Sequence, residues 1–346
     1  MHIDSNNRPN YIDLAKVVAI YAVILGHFVY YCDIPFTPNS SVIKVTHFVT
    51  LFHMPFFFMV TGIVSSFDVN KFTDFAKKQF KTLLVPYLLW CFIISGSWTI
   101  IDFVLTSDLK VFPKFLIALV SGSDFFGCRL KFVGPMWFVY ALFFIKLIIG
   151  FGFTIKEKLL KRFYFGVFFA GGGVIMYSSQ NPLPFRIDCI LVGLLFVFIG
   201  FKGKSLILKI MDHRRTAFVA LCISAVIIAL FECFYIDNSI RQGLSINANY
   251  YGKIPIMFLL SGLSGSIMML SLSRLLFVKK EIILTISNGL LSYLAMHWTL
   301  YFVLSKFYQT DSIWGMFGMS ILVFILLFPI TLLIKRFFPI LLGFRK

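Results

Sequence analysis

Ten apolar runs, separated by short polar stretches, organise this chain. They cover approximately residues 11–31, 43–66, 82–105, 134–151, 163–179, 184–201, 216–236, 254–273, 282–304 and 313–334. At ~1.5 Å rise per residue, an α-helix of each length crosses or nearly crosses ~30 Å of hydrocarbon. The runs lack the alternation and length of barrel strands. The pattern therefore predicts an all-α fold, a polytopic transmembrane helical bundle. The first run carries ionisable residues, follows a polar segment and has no small-residue cleavage site. It is expected to remain as a span and not to be removed as a signal peptide. No internal repeat or low-complexity tract is present, and the connections are too short for a soluble domain. Residues 1–346 read as a single transmembrane domain.

Composition agrees with that class. The chain is 59% hydrophobic and only 14% charged, where a soluble domain carries about 25%. The formal charge of +17 is unevenly distributed. One set of connections holds Lys71, Lys77, Lys78 and Lys81, then Lys156, Lys158, Lys161 and Arg162. It continues with Lys202, Lys204, Lys209, Arg214 and Arg215, then Arg274, Lys279 and Lys280, and the tail adds Lys335, Arg336, Arg345 and Lys346. The alternate set holds only Lys110, Lys114, Arg129, Lys131, Arg241, Lys253 and Lys306. Basic residues favour the cytoplasmic side, so both termini are expected there. Topology and anionic membrane lipids account for the charge, and no nucleic-acid partner is needed. The six cysteines form no C-x-x-C pair, so no metal or redox motif is visible. Cys32 and Cys128 both fall near the expected outer face and could pair.

Ionisable groups inside a span are costly and are functional candidates by default. The first span reads YIDLAKVVAIYAVILGHFVYY and holds Asp13, Lys16 and His27. Lys16 and His27 are eleven residues apart, which at ~100° and ~1.5 Å per residue puts them on nearly one face, roughly 16 Å apart. Lys16 and Asp13 are spaced to pair on that helix. Span two contains His47, His53 and Pro55, and Pro55 must break its hydrogen-bond ladder. His27, His53, Arg186, Asp188, Glu232 and His297 then share a similar depth on five helices, which suggests a polar cavity. Each has a structural alternative. His47 could face headgroups or bond a carbonyl, Arg186 and Asp188 could be an ion pair, Glu232 could reach outward to water, and Lys16 could be a topology anchor.

Six segments in order carry a family resemblance. D-x-x-K-x10-H (Asp13 to His27) resembles the D-x-x-R-x10-H opening of the acyltransferase 3 family of integral membrane acyltransferases. FHMPFFFMVTG (Phe52–Gly62) is similar to a segment of its fucose 4-O-acetylase-like subgroup. KKQFKTLLVPYLLW (Lys77–Trp90) resembles its cytoplasmic R-x-x-R-x-L-x-x-P element, and GPMWFVYALF (Gly134–Phe143) its G-P-L-W-F-L. PFRIDCILVGLLFVFIG (Pro184–Gly200) and ISNGLLSYLAMHW (Ile286–Trp298) complete the set. The chain departs from the pattern where family Arg becomes Lys at 16, 78 and 81. Lys binds phosphate as a point charge and lacks the bidentate fork of Arg.

The resemblance implies a bacterial inner-membrane O-acyltransferase with no permanently bound cofactor. The donor would be cytoplasmic acyl-coenzyme A, acetyl-CoA in the simplest case. The acceptor would be a hydroxyl on a cell-surface glycan or its lipid-linked precursor. Lys77, Lys78 and Lys81, placed on the cytoplasmic loop, would hold the coenzyme A phosphates, with Lys16 and Trp137 completing the donor site. His27 would be the general base. Arg186, His53 or His297 could stabilise the oxyanion, with Asp188 in the same set. A transporter or flippase of a polysaccharide precursor is the competing class, but it would favour internal symmetry and acidic coupling residues.

Overall fold

The computed structural model describes residues 9–31, 36–67, 69, 71–122, 127–178, 182–239 and 243–344. Cys32, Arg241, Arg345 and Lys346 lie outside the described residues, and with Cys32 the expectation of a Cys32–Cys128 pair. Among the described residues the chain is a bundle of α-helices with no strand; one isolated bridge joins Ser245 and Tyr250.

Helix α1 (Asn10–Tyr31) is unbroken and sits at the centre of the bundle. The second span is two helices, α2 (Ser41–Thr50) and α3 (His53–Val64). The break comes at Leu51–Phe52, four residues before Pro55, because the proline ring clashes with the carbonyl at i−4 and supplies no N–H. Pro55 is then tolerated within the first turn of α3. The third span begins ten residues earlier than the apolar run predicts. It runs as α4 (Phe72–Gln79), a π-helical turn (Phe80–Leu84), α5 (Val85–Trp90), a second π turn (Cys91–Gly96) and α6 (Ser97–Thr106). Lys77, Lys78 and Lys81 therefore ride on helix, not on a loop. The cause is amphipathicity: Phe75 of α4 packs beside Gly150, which leaves the lysines outward. Pro86 removes an N–H from the ladder just after the first π turn.

A short helix α7 (Val111–Ser121) follows, inside what reads as a long loop. Next come α8 (Trp137–Thr154), opened by a 3-10 turn at Gly134–Met136, and α9 (Lys158–Ser178). A second 3-10 turn, Pro184–Arg186, opens α10 (Ile187–Asp212), which outlasts its predicted span and carries Lys202, Lys204 and Lys209 on its last turns. Then follow α11 (Arg214–Phe234) and α12 (Pro255–Leu275). The ninth span is broken at Gly289 into α13 (Lys280–Asn288) and α14 (Leu290–Ser305), and α15 (Ile313–Phe337) is the tenth. Nine helical runs among the described residues are long and apolar enough to cross a membrane, and the α13–α14 tandem supplies the remaining predicted span. The chain is a multi-pass membrane protein.

Contacts of α1 with α2, α3, α12, α13, α14 and α15 make it the axis on which the polar residues converge. The tightest crossing is α3 on α10. A Cβ on Gly62 would sit 2.0 Å from the Val197 carbonyl oxygen, and one on Gly200 would sit 2.1 Å from that of Met59. Membrane helices gain little from a hydrophobic effect between them, so such close backbone approach is a main source of adhesion. Gly200→Leu must push α10 off α3 and is expected to lower the thermal unfolding temperature in detergent. Gly173→Leu on α9, where a Cβ meets nothing within 4 Å, is the control expected to leave that temperature unchanged or raised. Equal unfolding temperatures for the wild type and Gly200→Leu would refute the packing argument.

Candidate active site

A cavity of about 1030 Å³ opens at the end of the bundle opposite Asn10. Its walls include His27 on α1, His47 and Thr50 on α2, His53 at the start of α3, Trp137 at the start of α8, Arg186 before α10, Asn247 in the loop before α12, and Trp298 on α14. Helix irregularity positions three of these. His53 follows the Leu51–Phe52 break, Trp137 follows a 3-10 turn, and Arg186 ends one.

The histidines share one geometry. His27 Nδ1 lies 2.8 Å from the Val23 carbonyl, His53 Nδ1 2.7 Å from that of Val49, and His297 Nδ1 2.8 Å from that of Tyr293. Each contact reaches the carbonyl four residues back. A carbonyl only accepts, so each Nδ1 carries the hydrogen, and in a neutral ring Nε2 keeps the lone pair. His297 Nε2 lies 3.2 Å from His27 Nδ1 and accepts a share of that same hydrogen. His297 is fully buried behind His27 and does not line the cavity; it holds the ring of His27 in place. The His27 ring centre stands 6.4 Å from that of His53 and 5.3 Å from that of Trp298. Trp298 can approach because residue 134 is glycine: a Cβ there would meet the indole at 2.3 Å.

Arg186 is 2% exposed, and both it and Phe185 adopt left-handed backbone with φ 54°. Two adjacent non-glycine residues in that region cost roughly 1–2 kcal/mol each. The guanidinium that this places is anchored by Nη1, which donates to the Asn247 carbonyl at 3.0 Å. Arg186 and Asn247 both line the cavity, and Nε of the one and Oδ1 of the other are buried without a hydrogen-bond partner. Both atoms are closed off as the side chains stand, so a polar ligand in the cavity meets them only when those side chains turn. Asp188 does not line the cavity. It is fully buried behind Arg186, with Oδ2 accepting from Cys189 Sγ at 3.7 Å, and it forms no ion pair with Arg186 among the described residues. Glu232 also lies off the cavity. It accepts at 3.1 Å from Asn238, whose Oδ1 is 2.8 Å from His47 Nδ1.

The opposite end of α1 holds a second set. Lys16 Nζ lies 3.2 Å from Asp13 Oδ1, as its spacing predicts, and Ser287 donates to the same oxygen at 2.6 Å. Lys146, in the middle of α8, is within electrostatic range of both Lys16 and Lys78. Lys77, Lys78 and Lys81 are exposed at that end, and Trp137 is not with them; it belongs to the histidine cavity. The cavity lining on α1 reaches Val23 but not Lys16, and Ala19 and Ile20 between them are buried.

Sequence reasoning thus brought His27, His53 and Arg186 to one cavity, assigned Trp137 to the donor site instead, and missed Lys146, Asn247 and Trp298. Lys146 had a signal, a lone cation inside ALFFIKLIIG, where ionisable residues are candidates by default. Asn247 had none, since its role depends on how a loop closes over the rim. Trp98, Phe132 and Phe302 also line the cavity as a cluster of rings with centres 4.6 to 5.5 Å apart.

Comparison with known proteins gives this architecture a family. Residues 10–335 match the family model described as "Acyltransferase domain", the acyltransferase 3 family. Similar relatives include the nodulation protein NolL of Mesorhizobium japonicum, 29% identical over 141 residues, which are 40% of this chain and 34% of that one. The nodulation protein NolL of Sinorhizobium fredii is 28% identical over 141 residues, covering 40% of this chain and 35% of its own. The matched stretch spans about a third of the length of these curated relatives. No solved structure matches. With the domain running from the first turn of α1 into the last of α15, this chain belongs to the acyltransferase 3 family of integral membrane proteins.

Proposed function

We propose that this protein moves an acyl group, in the simplest case acetyl, from acyl-coenzyme A to a hydroxyl of a cell-surface glycan or its lipid-linked precursor. The observation that carries the reading is His27. Its Nδ1 hydrogen is committed to Val23 and His297, which leaves Nε2 as a base beside a cavity of about 1030 Å³. In the proposed step Nε2 takes the proton of the acceptor hydroxyl as its oxygen attacks the thioester carbonyl. The tetrahedral oxyanion collapses, the C–S bond breaks, and the departing thiolate recovers the proton from His27. The guanidinium of Arg186, which lines the cavity, would stabilise the oxyanion; neutral His53, whose Nδ1 hydrogen goes to Val49, presents only a lone pair and would do so only when protonated. The ring cluster of Trp98, Phe132 and Phe302 suits the apolar face of a sugar.

The donor end would be the lysine end. Its basic excess favours the cytoplasm, with both termini on that side and the cavity facing outward across a bacterial inner membrane. Lys16, Lys78 and Lys146 bring three cations to one region, where Asp13 pairs with Lys16. A phosphate-bearing donor would be drawn to that concentration of positive charge. The pantetheine arm would follow the Lys16–His27 face, roughly 16 Å long. Ala19, Ile20 and Val23 pack that face, so donor entry requires the seam to part.

His27→Ala is expected to lower turnover by roughly 10²–10⁴-fold with folding intact. His297→Phe should lower kcat less and leave both KM values near wild type, because His297 acts only through His27. Steady-state transfer assays on purified protein decide this, and near-wild-type kcat in His27→Ala would discard the mechanism. For the donor end, the Lys78→Ala, Lys81→Ala double variant and Lys146→Met should each raise the acyl-coenzyme A KM while preserving kcat, as when uniform binding is lost. Unchanged donor affinity in both would remove the lysine end from the donor site. Lys16→Arg should keep activity, whereas Lys16→Met, normalised to correctly inserted protein, should lose it. Full activity in Lys16→Met would leave Lys16 a topology anchor.

A further inference from the structure

A second concavity, of about 370 Å³, lies among α8, α9 and α10, and the reaction proposed above does not use it. Its walls are aromatic. Phe165 and Phe169 of α9 meet Phe198 of α10 with ring centres 5.1 and 4.7 Å apart, and Phe153 of α8 closes on Phe165 at 5.7 Å. The rim is cationic: Lys158, Lys161 and Arg162 stand on the first two turns of α9, and Lys202 stands on α10. The order along each helix is the same. Lys161 precedes Phe165 and Phe169 at four-residue steps, and Lys202 follows Phe198 by four. Charge therefore sits at one depth and aromatic wall at the next.

Two details say that the groove is built to be filled. Lys161 and Lys202 rest their ammonium groups 5.6 Å from the ring centres of Phe153 and Phe198. Among the described residues none of the four cations forms an ion pair with a carboxylate. Glu157, the acidic residue near them in sequence, instead accepts from the backbone N–H groups of Leu159 and Leu160. The second detail is Gly166, which lines the groove. A Cβ built there meets nothing within 4 Å, so a glycine on a lipid-facing helix leaves open space beside the phenylalanines.

We infer that this groove binds an anionic phospholipid, its phosphate held by the Lys161, Arg162 and Lys202 rim and one acyl chain laid over Phe165, Phe169 and Phe198. A neutral lipid would leave the rim uncompensated, and a free phosphate would leave the aromatic wall unused. Cations near a membrane surface are worth about tenfold or less each in lipid affinity, so the rim supplies selectivity and the wall supplies residence.

The test uses the full-length purified protein, delipidated in detergent, and native mass spectrometry with phosphatidylglycerol or phosphatidylcholine of identical chains. Wild type is expected to retain phosphatidylglycerol in preference to phosphatidylcholine. The Lys161→Gln, Lys202→Gln double variant should bind phosphatidylglycerol at least tenfold more weakly. Gly166→Leu, which reaches into the groove from a Cβ that meets nothing within 4 Å, should also lose the lipid while unfolding at the wild-type temperature or above. Equal retention of the two lipids, or wild-type retention by Gly166→Leu, would overturn the inference. Displacement by inorganic phosphate or acetyl-coenzyme A at matched concentration would also overturn it, by assigning the rim to a soluble phosphate ligand. None of these readouts uses acyl transfer, so the outcome stands apart from the proposed chemistry.

Discussion

Within hydrocarbon no water satisfies a freed backbone N–H or C=O, so a helix can be interrupted only where protein or a polar cavity takes over its hydrogen bonds. That constraint governs where chemistry can sit in this molecule. α1 runs unbroken through the centre, and two interrupted spans, α2–α3 and α13–α14, pack against it. The Leu51–Phe52 break frees part of the ladder, and His53 takes the Val49 carbonyl. The Gly289 break lies between Ser287, which bonds Asp13, and Ser292, which bonds the Gly289 carbonyl and Thr331. The left-handed pair before α10 is compensated by the burial of the Arg186 guanidinium against Asn247. Beside each defect a side chain forms a hydrogen bond, and each of those side chains is thereby fixed in direction.

The same constraint explains what could be read from residues in order. Apolar runs report helices that lipid or protein surrounds, and nine of the ten match helical runs long enough to span, because a span must be long and uncharged; the run at 282–304 is two short helices broken at Gly289. Their ends were less legible. α4 and the last turns of α10 carry lysines outside the hydrocarbon, where helicity depends on an amphipathic face such as Phe75 against Gly150 and leaves no long apolar signal. His27 and Lys16 stood out because a charge in a span has few bland explanations. His297 stood out by depth, but its contact with His27 Nδ1 depends on the Gly289 break and the rotation of α14, which no spacing encodes. Asp188 and Glu232 share the depth of the cavity without reaching it, since depth fixes one coordinate and helix rotation fixes the other.

The two ends of α1 solve opposite electrostatic problems. At the cavity end, three imidazoles, of which His53 and His297 are buried and His27 is partly so, each tie Nδ1 to the carbonyl four residues back, so they need no buried counter-charge. At the other end, Lys16 is a fixed cation and is held by Asp13, which is itself held by Ser287. Lys146 adds a second cation at mid-helix within range of Lys16 and Lys78. A group that must accept and return a proton is best left uncharged in a low-dielectric wall, where an ion would have to be desolvated or paired. A group that must hold phosphate is best left permanently charged. In the proposed reaction, only a long, thin donor could engage both ends at once.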